Sequence, residues 1–283
     1  MTATAPCPTD LLSRYDQGGF YDELFGGNGD SAPHAELIRR RLASLDFNDI
    51  RGRSEDAARE LYNLGITFLI YSEQAAVDRI LPFDVIPRVL SAAEWTHLNA
   101  GVVQRVKALN MFLRDIYHER RIIKDGVIPE DLVLGNSNYR PQMVGLKVPF
   151  DTYIHILGVD LVRDGQGVFR VLEDNGRVPS GVSYVVENRH MMQRVFPDLM
   201  QDLAIRPVDN YGQKLLQAVS EIAPAGISEP RVVLLSPGSY NSAYFEHIFL
   251  AREMGVPLVE GSDLVVVDDR VYMKTTNGLA VVD

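Results

Sequence analysis

The chain has 283 residues, 46% hydrophobic and 23% charged, the composition of a globular protein with enough sequence for one large core or two smaller ones. Its formal net charge of −10 argues against non-specific binding to nucleic acid or to anionic membranes, both of which require a basic surface. The single cysteine, Cys7, excludes an internal disulfide and a cysteine-based zinc site; with no secretory signal and no apolar run long enough for a bilayer, a reducing cytoplasm is the expected location.

In chain order, residues 1 to about 33 are Gly- and Asp-rich and predict an arm that docks by Tyr15, Phe20, Tyr21 and Phe25. A helix is expected near Ala35 to Leu45, and a second one capped by Ser54 and stopped before Gly65. Ile66 to Tyr71 has the content of a buried strand. Ser91-Ala-Ala-Glu94 is a capping box for a helix to about Tyr117. Its apolar stripe is Trp95, Leu98, Val102, Val106, Leu109, Leu113 and Ile116, so Trp95 is expected in the core and Arg105, Lys107 and Arg114 on the wet face. Val144 to Val148 and Tyr153 to Val162 predict strands. Gly176 to Tyr184 combines Pro179 with two glycines and is not expected to be regular, and its small residues allow backbone N–H groups to approach an anion. A mostly helical stretch, Val186 to Leu203, breaks at Pro197.

The last segment predicts a helix (Gly212 to Ile222), a strand (Arg231 to Ser236), a loop Pro237 to Ser242, a helix (Ala243 to Met254) and a strand (Val256 to Glu260). This is a β-α-β unit stopped at Gly255. The loop at the carboxyl end of its first strand reads equally as an ordinary turn or as a ligand-facing segment. A hairpin from Leu264 to Lys274 follows.

Chemistry concentrates between Tyr153 and Asn188. Two apolar runs flank Asp164-Gly-Gln-Gly167, which predicts a β-hairpin. With Arg163 facing Val168, Asp160 lies opposite Val171 and diagonal to Glu173, and Glu173 and Asn175 share its face while Asp174 points away. Diagonal neighbours lie roughly 7–8 Å apart, within reach of one ion. Two carboxylates and an amide oxygen suit Mg²⁺ or Mn²⁺ better than Zn²⁺. The other reading is a surface hairpin with solvated acids. In this register His155 points away from the metal face and is expected in the core.

The spacing Asp160, turn, Glu173-x-Asn175 resembles the metal-binding end of an ATP-grasp fold, and Asn175-Gly-Arg-Val-Pro-Ser180 resembles the corresponding segment of glutathionylspermidine synthetase-like ligases. Here the motif precedes the β-α-β unit (Pro237-Gly-Ser-Tyr-Asn-Ser-Ala-Tyr-Phe-Glu-His247). That order is similar to the circularly permuted ATP-grasp family, as are Pro82-Phe-Asp-Val-Ile-Pro-Arg, Gln104-Arg-Val-Lys-Ala-Leu-Asn and Glu187-Asn-Arg. The resemblance implies an α/β, circularly permuted and incomplete ATP-grasp fold. Its parts would be an N-terminal arm with helices (1–65), a metal-binding portion (66–206) and a β-α-β substrate-side domain (207–283). The lobe that clamps adenine would follow Asp283, leaving this chain as an N-terminal portion with about half of an active site.

The resemblance further implies an ATP-dependent carboxylate–amine ligase that works through an acyl phosphate, with ATP and Mg²⁺ as cofactors and small-molecule or peptide acids and amines as partners. Asp160, Glu173 and Asn175 would ligate metal, Arg177 and Arg189 would balance phosphate charge, Ser180 and Gly181 would contact nucleotide or substrate, and Asn241, Ser242 and Glu246 would line the substrate face. The sequence departs from the family where an arginine often precedes the metal Asp by two residues; that position is Gly158, so Arg177 or Arg189 would supply the cation or else serve as a structural ion-pair partner. The rival expectation is a non-catalytic nucleotide- or metal-binding scaffold of the same fold; a metal-dependent hydrolase ranks behind both, for want of a positioned base or nucleophile.

Overall fold

The computed structural model describes residues 12, 15–27, 32–71 and 76–283. Its helices are α1 (Glu36–Ala43), α2 (Phe47–Asn63), α3 (Ala92–Tyr117), α4 (Arg121–Lys124), α5 (Glu130–Leu134), α6 (Val182–Val195), α7 (Pro197–Met200), α8 (Tyr211–Ser220) and α9 (Tyr244–Met254). Its strands are β1 (Thr67–Tyr71), β2 (Ala76–Ile80), β3 (Gly158–Arg163), β4 (Phe169–Asn175), β5 (Leu234–Leu235), β6 (Leu258–Val259), β7 (Leu264–Val267), β8 (Arg270–Thr275) and β9 (Gly278–Val281). The chain divides into two compact units, Met1–Val89 with Ser180–Asp283, and Leu90–Pro179. The division falls at the two ends of the α3-to-hairpin segment.

In the first unit the core is helical. Ile38 and Leu42 of α1, Ala57 and Leu61 of α2, and Met191, Phe196 and Leu199 from α6 and α7 are buried together. Helix α2 starts earlier than expected, because Asp46 and Asp49 form the capping box and Ser54 lies in the helix interior. Arg53 on α2 makes a fork to Asp198 at 2.9 Å for both nitrogens and lies over the Phe196 ring at 4.2 Å, tying α2 to α7. Of the expected N-terminal anchors, Tyr15 and Phe25 stack at 5.5 Å and Phe20 is exposed; Leu24, which was not among them, enters the core. Strands β5 and β6 pair in parallel across α9, a β-α-β unit with strands shorter than expected. The terminal hairpin gains a third antiparallel strand, β9.

In the second unit α3 is the frame. Ser91 and Glu94 form the expected capping box, and the stripe from Leu98 to Ile116 is buried or half-buried. Trp95 departs from it, 46% exposed in the first turn. Tyr117 stacks on Tyr139 at 5.0 Å and on Tyr153 at 6.0 Å, a small second core with Ile116 and Val133. No strand forms over residues 144–148: Pro141–Met143 is a single 3-10 turn followed by irregular chain. The next strand starts at Gly158 and not Tyr153, because the backbone N–H groups of Tyr153 and Ile154 donate to Asn110 Oδ1 on α3, at 2.7 and 2.9 Å, rather than to a partner strand.

Candidate metal hairpin and candidate cleft

Strands β3 and β4 pair antiparallel, in a register that differs from the regular one. Arg163 pairs with Phe169, Val162 with Arg170 and Leu161 with Val171; the register then shifts by one residue, so that Asp160 pairs with Glu173, Val159 with Asp174 and Gly158 with Asn175. The extra residue, Leu172, is a β-bulge. Its consequence is geometric. Asp160 and Glu173 are direct cross-strand partners, not diagonal ones, which puts their Cα atoms about 4.5–5.5 Å apart. Asn175 lies two residues on, on the same face, and its Nδ2 donates to Glu173 Oε1 at 3.1 Å.

Both faces of the hairpin have a clear assignment. On one, Val159, Leu161, Phe169 and Val171 turn toward α3, and Asp174 accepts from Arg105 Nε at 2.6 and 2.7 Å. Arg163, 5% exposed, pairs with Glu94 and lies over the Phe169 ring at 4.3 Å. The turn is closed by Asp164, whose carboxylate accepts from Val168 N at 2.9 Å and from Arg170 Nε at 2.9 Å; the Val168 N–H foremost holds its carboxyl below the usual range. The other face carries Asp160, Glu173 and Asn175, all exposed, and neither carboxylate has a basic partner among the described residues. Like charges placed directly opposite on a sheet repel, so this pair favours a cation between them. A third carboxylate, cysteine or histidine does not complete a cluster among the described residues, which leaves a donor set of two carboxylates and one amide.

A Cβ on Gly158 would lie 3.0 Å from Pro179 Cβ, so a side chain there needs Pro179 to give by a few tenths of an ångström. Arg177 is exposed beyond β4 and makes no ion pair with the described residues. His155 is exposed and not in the core, because residues 153–157 are irregular and do not alternate faces as a strand would.

In the other unit, Glu246 of α9 is buried, 3% exposed, rather than lining an open face. Its carboxylate accepts from Gly181 N at 2.8 and 2.9 Å, from Ser183 N at 3.0 Å and from Ser183 Oγ at 2.5 Å. It thus satisfies the first N–H groups of α6 from a residue more than sixty positions away, where a local cap is absent and Gly181 has φ +109°. Gly181 N–H is therefore already engaged, while Ser180 is exposed. Burial raises the hydroxyl pKa of Tyr184 and of Tyr211, and the Glu246 charge adds to it. Arg189 donates to the Arg206 carbonyl at 2.9 Å. His247 Nδ1 lies 2.8 Å from Ser236 Oγ, and that oxygen accepts from Gly238 N at 3.1 Å, so the loop after β5 is pinned to α9.

Asn241 and Ser242 line a cleft of about 360 Å³ along α9, with Phe245, Ile248, Phe249 and Arg252. Sequence reasoning missed Arg252 and the aromatic floor, although the spacing of 245, 248, 249 and 252 is one face of a helix.

Comparison with known proteins gives one family match: the model described as "A circularly permuted ATPgrasp" matches residues 87–283. An uncharacterized protein of Synechocystis sp. is 49% identical over 272 residues, covering 96% of this chain and 56% of that protein. An uncharacterized protein of Mycobacterium tuberculosis is 47% identical over 263 residues, 93% of this chain and 47% of that protein. A Frankia alni protein named "Putative glutamate--cysteine ligase 2-3" is 40% identical over 265 residues, 93% of this chain and 30% of that protein. The chain spans about half the length of the first two.

Proposed function

The chain belongs to the circularly permuted ATP-grasp family, and on that premise we propose that it supplies the metal–phosphate side of an ATP-dependent carboxylate–amine ligase. The observation that carries this reading is the opposed pair Asp160 and Glu173, exposed, without a basic partner among the described residues, and joined on its face by Asn175. This all-oxygen donor set fits Mg²⁺. Asp160, Glu173 and Asn175 would hold the metal, and it would neutralise charge on the phosphates of ATP.

The chain's own residues then have positional tasks. The bulge at Leu172 aims Glu173 at Asp160, and Arg105 holds the back of β4 through Asp174. Arg177, exposed directly after the metal strand, would meet phosphate charge in place of the arginine that the family often carries at the position of Gly158. Arg189 keeps donors beyond the one given to the Arg206 carbonyl. Ser180 presents a hydroxyl and backbone at the entry to α6. In the reaction a substrate carboxylate attacks the γ-phosphoryl group of ATP, giving an acyl phosphate and ADP, and an amine then displaces phosphate to form an amide. No side-chain nucleophile is required; positioning and charge neutralisation carry the step. The name of the Frankia alni relative makes amino acids the first acids and amines to assay.

The Pro179 contact at Gly158 favours a second reading, a scaffold of this fold that binds nucleotide without turnover. Calorimetry on the full-length protein with Mg²⁺ and a non-hydrolysable ATP analogue tests the metal–nucleotide reading common to both. Binding should require Mg²⁺ and weaken at least tenfold in Asp160→Asn. Equal, Mg²⁺-independent binding in both proteins overturns the assignment.

A further inference from the structure

The cleft along α9 has no assigned ligand, and its lining is more specific than a generic substrate face. Phe245, Ile248 and Phe249 form an apolar floor on one side of the helix. Asn241 and Ser242 stand at one end of that floor, before the first turn of α9, and Arg252 stands at the other. Arg252 lies eight positions on from Tyr244, a rise of about 12 Å along the helix. Ile248 is 45% exposed, a large aliphatic side chain left open in a concave wall.

Arg252 has capacity to spare. Its guanidinium lies over the Phe249 ring at 5.3 Å, and its polar contacts are long: 3.4 Å to Glu253 and 3.9 Å to Glu187. Glu187 is shared with His190 Nδ1 at 3.6 Å. A guanidinium offers five donors, and a planar carboxylate takes two of them side by side. The two glutamates nearby repel any anion, a doubly charged phosphate about twice as strongly as a singly charged carboxylate, and a carboxylate can displace the loose Glu253 contact.

We propose that this cleft binds a small apolar acid of amino-acid to dipeptide size, its carboxylate on Arg252, its hydrocarbon body on Phe245 and Ile248, and its polar remainder on Asn241 and Ser242. The volume of about 360 Å³ lies at the small end of ligand sites. The inference deepens the ligase reading, on which it rests for calling the ligand a substrate; the binding itself needs neither ATP nor turnover.

The test uses N-acetyl-L-phenylalanine and its carboxamide as probes, titrated into the protein without nucleotide and followed by the amide resonances of α9 or by calorimetry. The acid should bind and the carboxamide should bind at least tenfold more weakly. Arg252→Gln should lose the acid by a similar factor, and Arg252→Lys should recover part of it. Acid and carboxamide binding alike to the wild type, or no binding of the acid, overturns the proposal without any variant. Amide-bond formation by the full-length protein with an unchanged KM for the acid in Arg252→Gln would also overturn it while leaving the ligase reading intact. Carboxylate binding at Arg252 without any turnover would sustain the site and remove its role as a ligase substrate pocket.

Discussion

Glu246 provides the most quantitative consequence. In Glu246→Ala the carboxylate that accepts from Gly181 N–H, Ser183 N–H and Ser183 Oγ–H is lost. Ser183 is fully buried, so water does not replace the acceptor for either of its donors. A buried donor left unsatisfied costs about 1–3 kcal/mol, and two at Ser183 give about 2–6 kcal/mol before any relaxation. Relief of the buried charge offsets part of this, and about 3 kcal/mol is the net expectation, a large share of a typical domain's stability of about 5–15 kcal/mol. Glu246→Gln keeps the shape and one acceptor oxygen, and should cost about 1–2 kcal/mol. The assay is urea unfolding at constant m-value, paired with hydrogen exchange at the amides of Gly181 and Ser183. Loss of protection at the start of α6 should accompany the shift in midpoint. An Ala variant with the wild-type midpoint and wild-type protection at Ser183 would refute the assignment of Glu246 as the cap of α6.

Other consequences are as direct. Burial lowers the His247 pKa below its usual value near 6.5, against an opposing pull from Glu246. The unfolded chain then takes up the proton first, so stability is full above about pH 6.5 and declines as pH falls from there toward the folded pKa. The pH slope of unfolding free energy in that window should shrink in His247→Gln; an unchanged slope contradicts the origin given. Gly158→Arg should destabilise the Leu90–Pro179 unit by displacing Pro179, and should not raise turnover in the full-length protein; an Arg variant with wild-type stability and faster ADP release would show the space to be open. Asp160→Asn should slightly raise thermal stability without Mg²⁺ by removing a like-charge cross-strand pair, and abolish any Mg²⁺-dependent rise. A variant that still gains melting temperature with Mg²⁺ would place the metal elsewhere.

Local signals were legible where the physics is local. Ser91 and Glu94 state a capping box in four residues, and α3 starts there. The β-α-β order and the alternation that puts Glu173 and Asn175 on one face are likewise written in short spacings. The bulge at Leu172 was not legible, because register depends on which residue of the partner strand is skipped, and a regular hairpin satisfies the same apolar pattern. Asp46 and Asp49 carry the capping-box spacing too, more than two turns before Ser54, and that is where α2 begins. Glu246 marks the other limit: its partners lie sixty-three and sixty-five positions away, and only the folded backbone brings α9 beneath the first turn of α6. Trp95 fits the apolar stripe by periodicity, yet it is exposed, because periodicity assigns a face of a helix and not the burial of each residue on it.

The central claim is that Asp160, Glu173 and Asn175 serve phosphoryl transfer, and ADP release by the full-length protein tests it most directly. Measured with Mg²⁺-ATP and a panel of amino-acid and peptide substrates, release should require both an acid and an amine and should fall at least a hundredfold in Glu173→Ala. Equal rates in the wild type and in Glu173→Ala would contradict the account.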